Sequence, residues 1–337
     1  MRRAFITGLG GLTLTPFESR FLAATRPAGL ILFSRNCDTP AQVRSLIADA
    51  RAAIGTRDCL VLIDQEGGRV QRLRPPHWRA LPPAALFGAI HGADPAAGLA
   101  GAHAIARLIA ADLAALGINA NCTPVLDLPV PGSHDVIGNR AFGSAPAPVI
   151  ALGRAVAEAH LAGGVLPIVK HIPGHGRALS DSHLDLPVVT ASIAELERTD
   201  FAPFRALKHL PAAMTAHIVF TAVDPERPLS TSRRAMDMIV RGAIGYDGLV
   251  MSDDLSMRAL AGDMTTRARD VIAAGCDLAL HCNGQLAEME AVAAAVPVLA
   301  GRAHERFQHA FAVTRHATPF DQLAAEALLE RLMTTVA

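Results

Sequence analysis

This sequence has few aromatic side chains and no net charge. Only 4% of the 337 residues are aromatic, with one Trp and one Tyr, and 31 Lys and Arg residues balance 31 Asp and Glu residues. The basic residues are spread along the chain, so the composition favours neither nucleic acid nor an anionic membrane surface as a partner. We therefore expect a small soluble substrate, and the oligomeric state is left open.

Cysteine is also sparse, and its pattern argues against a disulfide framework. The five cysteines are odd in number and scattered, and no CxxC pair occurs among them. Isolated thiols within apolar runs are typical of proteins in a reducing compartment. The residues concerned are Cys37, Cys59, Cys122, Cys276 and Cys282.

Long uninterrupted apolar runs are missing as well. The N-terminal MRRAFITGLGG is broken by glycines and lacks an A-x-A cleavage site, so we expect no signal peptide. The most apolar long window, residues 97–117, contains His103, Arg107 and Asp112 and predicts a core-packed helix in place of a membrane span. These features together predict a cytoplasmic protein with no membrane partner.

The chain does contain a regular alternation of β-like runs and alanine-rich helical stretches. Eight such repeats without a change in composition predict an α/β protein, a single-domain (β/α)8 TIM barrel over residues 1–337, with C-terminal helices after about residue 285. The predicted strands are residues 4–8, 29–34, 59–63, 117–123, 166–170, 212–215, 248–252 and 277–280, and the predicted helices are residues 39–53, 97–116, 146–162, 192–208, 232–239 and 264–274.

Two long insertions interrupt the alternation, at residues 67–97 and 128–145. In a barrel the loops that follow the strands form the catalytic face. We therefore expect both insertions to contribute to the wall of a pocket.

Charged residues cluster after the third predicted strand, in DQEGGRVQRL. Asp64 and Arg72 lie there with Glu66 and Arg69, around a pair of glycines. The cluster is either a set of salt bridges or a ligand clamp, in which a carboxylate accepts hydrogen bonds from vicinal hydroxyls and an arginine donates. The next two segments add Asp127, as a supporting residue or a loop cap, and Arg140.

The fifth strand runs into VLPIVKHIPGHGRALSDSH, where titratable side chains crowd together. Lys170, His171, His175, Asp181 and His183 lie in a stretch that Pro173 and two glycines keep from being helical. A solvated loop and a metal site are the alternatives to a catalytic site. The metal site is disfavoured because Ile-Pro-Gly between the first two histidines denies them the helical spacing of a zinc pair.

The seventh strand ends in two adjacent carboxylates, Asp253 and Asp254. Because a strand alternates its faces, only one of them points inward, and spacing alone does not choose between them. One of the two is the candidate nucleophile. His217, after the sixth strand, is either a hydrogen-bonded core residue or a pocket residue.

This set of groups predicts hydrolysis of a polyhydroxy substrate. Glycoside cleavage needs an acid that protonates the leaving oxygen and a carboxylate that meets the oxocarbenium-like centre. His183 can serve as the acid, because Asp181 two residues earlier is placed to fix its tautomer and favour its protonated form.

The motifs KHIPGHG-x4-DSH, SDDLSM, DQEGGRVQRL and GNRAFG resemble those of glycoside hydrolase family 3, in particular its single-domain bacterial β-N-acetylglucosaminidases (β-N-acetylhexosaminidases) of NagZ type. The likeness covers most of the chain, from GLTLTPFESRFLAATRPAGLILFSRN to LALHCN. The first of these motifs is highly specific, whereas SDD alone is weak.

The resemblance implies a role for each matched residue. Asp253 would be the nucleophile, His183 the acid/base and Asp181 its partner. The sugar-binding residues would be Asp64, Arg72, Arg140, Lys170 and His171.

The implied reaction is retaining, through a covalent glycosyl-aspartate, with no metal or organic cofactor. By resemblance, the substrate is a muropeptide or another sugar ending in N-acetylglucosamine. The enzyme would remove β-1,4-linked N-acetylglucosamine from cell-wall fragments that carry anhydro-N-acetylmuramic acid, with or without peptide, in peptidoglycan recycling. The alternatives are a β-glucosidase or β-xylosidase of the same family, a metal-dependent barrel hydrolase, and a sugar-binding barrel without turnover.

Overall fold

Each repeat of the barrel begins with a strand. The barrel strands consist mainly of Val, Ile, Leu and Ala, which are buried on both faces of the sheet, as is typical of parallel strands. The computed structural model describes residues 1–182 and 185–336. Its strands are β1 (Arg3–Gly8), β2 (Pro27–Leu32), β3 (Leu60–Ile63), β4 (Ala120–Asn121), β5 (Leu166–Ile172), β6 (Val188–Val189), β7 (Ala212–Thr215), β8 (Val219–Phe220), β9 (Leu249–Asp254) and β10 (Leu278–His281).

Eight of these strands close a parallel barrel in the order β1-β10-β9-β7-β5-β4-β3-β2. Every pairing in the ring is parallel. The first and last strands, β1 and β10, pair to close the barrel, with Phe5 opposite Ala279. The short strands β6 and β8 pair with each other outside the ring. The predicted single-domain (β/α)8 barrel is confirmed, and each of the eight predicted strands overlaps a barrel strand.

The helices surround the barrel. They are α1 (Pro16–Thr25), α2 (Pro40–Ile54), α3 (Ala84–Ala93), α4 (Pro95–Leu116), α5 (Pro146–Ala162), α6 (Ile193–Arg198), α7 (Phe201–Ala206), α8 (Arg233–Ala235, continued by a π-helical segment Met236–Ala243), α9 (Met264–Ala274), α10 (Leu286–Ala295), α11 (Gly301–Ala312) and α12 (Gln322–Val336).

Helix α2 shows how the local sequence sets these elements. Thr39 caps its N-terminus by accepting a hydrogen bond from the Gln42 amide, Pro40 occupies the first turn, and Gly55 ends it in the left-handed conformation. Its buried residues recur three or four positions apart, so one face packs on the barrel: Val43, Leu46, Ile47, Ala50 and Ile54.

The prediction of one helix over residues 192–208 is wrong, because the structure divides this stretch into α6 and α7. A proline inside a continuous helix would clash with the carbonyl four residues before it. Pro203 instead lies in the first turn of α7, where its missing N–H costs nothing. The break brings Asp200 into a buried position between the two helices.

Helix α4 is the longest apolar helix of the described chain. By length and composition it could cross a membrane, but most of its apolar window is buried. It packs against α3, α5 and α12, so its hydrophobicity is explained by burial within the fold.

Candidate active site

A pocket of about 160 Å³ opens at the carboxyl ends of the barrel strands. Its polar lining comes from Asp64 after β3, from Lys170 and His171 in β5, and from Asp253 and Asp254 at the end of β9. Both insertions contribute to its wall, as predicted. The apolar part of the lining includes Ile31, Phe33, Val70, Val136, Ile137, Met214, Met257 and Leu280.

Five charged side chains form a continuous network on one side of the pocket. Lys170 Nζ lies 2.7 Å from Asp64 Oδ1 and 2.6 Å from Glu66 Oε1. Arg140 donates two hydrogen bonds of 2.8 Å to Glu66, one to each oxygen. Arg72 donates to Asp64 at 3.1 Å. We call these residues the charged network.

The network keeps its members ionised. Burial alone would raise the pKa of Asp64, but Lys170 and Arg72 hold it well below its ordinary value. Burial also opposes ionisation of Glu66, yet Lys170 and Arg140 lower its pKa. Burial would lower the pKa of Lys170, and the two carboxylates raise it instead. The pocket therefore offers fixed donors and acceptors to a neutral, hydroxyl-rich ligand.

Gln65 shapes the loop that carries the network. Its side-chain oxygen accepts hydrogen bonds from the amides of Arg72 and Leu73, at 2.9 and 3.0 Å. The loop turns back at Gly67, whose φ of +110° favours glycine and where a Cβ atom would lie 2.3 Å from the Pro82 carbonyl oxygen. This turn brings Arg72 next to Asp64, and the guanidinium also lies over the Phe33 ring.

Asp127 is fully buried beside the pocket and joins two histidines. Its Oδ2 lies 2.7 Å from His171 Nδ1, and its Oδ1 accepts hydrogen bonds from the amides of His171 and His175. Burial would raise the pKa of Asp127, but the histidines and the His175 amide lower it to about 2. His175 contacts Ser182 Oγ through Nε2 at 3.0 Å, and burial lowers its pKa to about 4.

The glycines of KHIPGHG allow the loop to pack closely. A Cβ atom at Gly176 would lie 2.0 Å from the Leu128 carbonyl oxygen. Val130 N donates to the Gly176 carbonyl at 3.2 Å, and His134 N donates to the Ala178 carbonyl at 2.8 Å. Backbone hydrogen bonds therefore connect the insertion at residues 128–145 to the loop that leads to Asp181.

Of the predicted catalytic pair on this loop, His183 lies outside the described residues. The neighbouring Ser182 is buried and lines the pocket. The loop that precedes His183 therefore reaches the pocket.

Asp253 and Asp254 occupy successive positions of β9 and have different surroundings. Both line the pocket, but Asp254 Oδ1 accepts hydrogen bonds of 3.0 Å from the amides of Ser256 and Cys282. Burial would raise the pKa of Asp253, but His171, His217 and the Asp254 amide lower it. Burial raises the pKa of Asp254. The surroundings of Asp253 therefore favour its ionised form, whereas burial disfavours the ionised form of Asp254.

His217 supports this end of the pocket from within the core. It is fully buried, with Nδ1 2.6 Å from Ser230 Oγ and Nε2 3.1 Å from the Asp254 carbonyl oxygen. Of the two alternatives left open by the sequence, the structure favours the hydrogen-bonded core residue. Burial lowers its pKa.

The metal-site alternative gains no support from the described residues. Within residues 1–182 and 185–336, no three His, Cys, Asp or Glu side chains are arranged to hold a metal ion. His171 is bonded to Asp127 and His175 to Ser182.

Sequence reasoning did not single out Glu66 or recognise what Asp127 contacts. Glu66 was visible as part of a charged cluster, but its bidentate pairing with Arg140 joins positions 74 residues apart. The apolar wall residues Phe33 and Met257 carry no titratable group that would mark them as pocket residues. Their place in the pocket follows from the barrel geometry.

Comparison with known proteins agrees with this architecture. The model of the glycosyl hydrolase family 3 N-terminal domain matches residues 16–313. A β-hexosaminidase from Bordetella avium (strain 197N) is 41% identical over 279 residues, which cover 82% of this chain and 79% of that protein. A β-hexosaminidase from Alkalilimnicola ehrlichii is 42% identical over 280 residues, with coverage of 82% and 79%.

The fold is similar to a solved structure over nearly its whole length. The crystal structure of NagZ from Neisseria gonorrhoeae in complex with N-trifluoroacetyl-D-glucosamine has a TM-score of 0.87 and 33% identity, with 98% of each chain covered. The barrel, the pocket at its carboxyl end and the match over most of the sequence lead to one conclusion. The chain belongs to glycosyl hydrolase family 3 and is a glycoside hydrolase.

Proposed function

We propose that this glycoside hydrolase is a retaining β-N-acetylhexosaminidase. It removes terminal, non-reducing β-1,4-linked N-acetylglucosamine from cell-wall fragments that carry anhydro-N-acetylmuramic acid, with or without peptide, in peptidoglycan recycling. The relatives that carry the name β-hexosaminidase support the reaction. The Neisseria gonorrhoeae structure, which holds an N-acylated glucosamine, supports the sugar.

The observation that carries the proposal is the position of Asp253. Its carboxylate is held ionised at the end of β9, in the same pocket as the charged network. An ionised carboxylate in this position can attack the anomeric carbon of a sugar whose hydroxyls are held by the charged network. Asp253 is accordingly the proposed nucleophile.

The leaving group needs a proton when the glycosidic bond breaks. We assign this step to His183, with Asp181 as the partner that orients its ring, on the strength of the DSH motif. The same imidazole, once neutral, activates the water that hydrolyses the glycosyl-aspartate. General acid/base catalysis of this kind contributes about 10²- to 10⁴-fold.

The charged network and His171 bind the sugar in this proposal. Asp64 accepts a hydrogen bond from a hydroxyl while Lys170 and Arg72 hold the carboxylate in place. Arg140 lines the pocket with its guanidinium fixed by Glu66. Because these groups are already paired, they lose little conformational freedom when the sugar binds.

We place the enzyme in the cytoplasm. All five cysteines are free thiols, and four of them are buried. Unpaired thiols are typical of a reducing compartment.

A covalent trap tests the reaction and the nucleophile together. The enzyme is incubated with 5-fluoro-N-acetylglucosaminyl fluoride, digested and mapped by mass spectrometry. We expect one added glycosyl group on the peptide that contains Asp253. A label on Asp254, or no label on an enzyme that still turns over the substrate, would contradict the assignment.

The substrate is tested by competition between sugars. An aryl β-N-acetylglucosaminide should be cleaved with a far higher kcat/KM than the matched aryl β-glucoside or β-xyloside. N-acetylglucosaminyl-anhydro-N-acetylmuramic acid should release free N-acetylglucosamine. A preference for glucoside or xyloside would instead favour the alternative activities of the family.

A further inference from the structure

Asp127 has no exposed surface and does not line the pocket, yet it is bonded to a residue that does. It accepts one hydrogen bond through Oδ2 and two through Oδ1, from the His171 ring and from the amides of His171 and His175. We propose that Asp127 is a positioning residue. It holds His171 in the tautomer with the proton on Nδ1, which leaves Nε2 for a sugar hydroxyl, and it fixes the turn between His171 and His175.

The tautomer follows from the chemistry of the contact. An ionised carboxylate can only accept hydrogen bonds, so the His171 nitrogen that lies 2.7 Å away must be the donor. The identity of the protonated ring nitrogen is set by the hydrogen bond that this nitrogen makes. Nε2 is therefore left as the acceptor for a ligand when the ring is neutral. The assignment of this nitrogen to a sugar rests on the proposed function.

The placement of Asp127 follows from the backbone. The segment after β4 continues alongside β5, with Leu126 N donating to the Lys170 carbonyl at 2.8 Å and Lys170 N donating to the Pro124 carbonyl at 3.1 Å. This pairing delivers Asp127 to the buried side of His171.

One oxygen of Asp127 closes the turn between the two histidines. Oδ1 gathers the His171 and His175 amides at 3.1 and 2.7 Å, and Gly174 N donates to the His171 carbonyl within the same turn. His175 in turn contacts the Ser182 hydroxyl at 3.0 Å, next to Asp181 in the same loop. A single carboxylate thus couples the sugar-binding ring to the start of the loop.

The variant Asp127→Asn isolates the tautomer. Its oxygen must face the two amides, so its NH₂ group faces His171 Nδ1, and the ring proton has to move to Nε2. A sugar hydroxyl at His171 Nε2 then faces a hydrogen-bond donor, whereas in the wild type Nε2 is an acceptor. We expect kcat/KM on an aryl β-N-acetylglucosaminide to fall by about 10- to 100-fold.

Asp277→Asn is the matched control. Asp277 is also buried and accepts hydrogen bonds from the Val250 amide and from two arginines, but it lies at the start of β10, at the opposite end of the barrel. This variant should lose stability and keep the wild-type kcat/KM. An equal loss of activity in both variants would reduce Asp127 to a structural role and overturn the proposal.

The decisive measurement is the tautomer itself. Long-range ¹H–¹⁵N spectra of histidine-labelled protein, at a pH that neutralises the ring, should show His171 protonated on Nδ1 in the wild type and on Nε2 in Asp127→Asn. The signal is assigned by its loss in His171→Asn. A wild-type ring protonated on Nε2 overturns the proposal, even if Asp127→Asn fails to fold.

The same experiment separates this inference from the proposed function. A wild-type enzyme that cleaves no β-N-acetylglucosaminide would contradict the proposed function whatever the spectrum shows. An active enzyme with the wrong tautomer would contradict only the role of Asp127.

Discussion

The Lys170 ammonium lies 2.6 Å from the Glu66 carboxylate, with 3% of the lysine side chain and 6% of the glutamate side chain exposed. The same ammonium is 2.7 Å from Asp64. One cation therefore separates two buried anions. Removing such a cation leaves charge that water does not reach, and this costs more than the intact pair contributes.

We expect Lys170→Met to lower the free energy of unfolding by roughly 3 kcal/mol, because Asp64 and Glu66 would lose the charge between them. Urea denaturation measures the change. The double variant Asp64→Asn with Lys170→Met leaves no unpaired buried charge. Glu66 keeps its ion pair with Arg140, and Arg72, which loses its partner Asp64, is partly exposed to solvent. The double variant should therefore cost less than the sum of the single variants, and simple additivity would contradict the coupling.

The two carboxylates at the end of β9 should respond differently to neutralisation. Asp253→Asn removes the proposed nucleophile, and kcat on an aryl β-N-acetylglucosaminide should fall by more than about 10³-fold. Asp254→Asn keeps an oxygen for the amides of Ser256 and Cys282. Its loss should stay below about 10-fold, and a larger loss in Asp254→Asn than in Asp253→Asn would reverse the assignment.

Gly176→Ala should disrupt the loop that follows β5 and leads to Asp181. The added methyl group would meet the Leu128 backbone at 2.0 Å, so the loop or the second insertion must move. Steady-state kinetics should show a loss of kcat/KM, and thermal unfolding should show a lower Tm. Gly143→Ala is the control, since a Cβ atom there meets nothing within 4 Å. Similar losses in both variants would refute a specific role for the close approach.

The stability of the fold should decrease in mild acid because of two buried histidines. Burial lowers the pKa of His160 and of His175 to about 4, below the ordinary 6.5. The unfolded chain therefore binds more protons between these values, so the contribution is complete above pH 6.5 and is lost as the pH falls towards 4. Each histidine should contribute a slope of up to about 1.4 kcal/mol per pH unit.

His160→Gln tests this slope without touching the pocket. His160 accepts a hydrogen bond from Asn121 through Nε2 and donates to the Val156 carbonyl through Nδ1, a pattern that only the neutral ring satisfies. Urea denaturation at several pH values should show that the free energy of unfolding depends less steeply on pH in the variant. The difference corresponds to one proton fewer taken up on unfolding. An unchanged slope would show that His160 is charged in the folded protein.

The barrel could be predicted from the sequence because its strands are local apolar runs that recur with a regular spacing. Helix α1 was missed although its signal was present. Thr15 and Glu18 form a reciprocal capping box at its start. The sequence prediction also omits helix α3, because residues 84–93 lie within the insertion at residues 67–97, where prolines argue against a helix.

The site was predictable where a motif carries its chemistry within a few residues. Asp64, Arg72, Arg140, Lys170, His171 and Asp253 all line one pocket, and their roles in binding and catalysis stay predictions. The sequence does not indicate which of these side chains contact one another. Nothing in the spacing indicates that Asp127 lies under His171, since that contact depends on how the segment after β4 continues beside β5.

The alternation of charge within the charged network limits how this enzyme can change its substrate range. Each member of the network balances its neighbours, so a new specificity built there would require coordinated replacement of several side chains at once. The apolar lining residues Val136, Ile137 and Met257 form no such ion pairs. Directed evolution towards other leaving groups should therefore accumulate its substitutions in the apolar lining and leave the charged network intact.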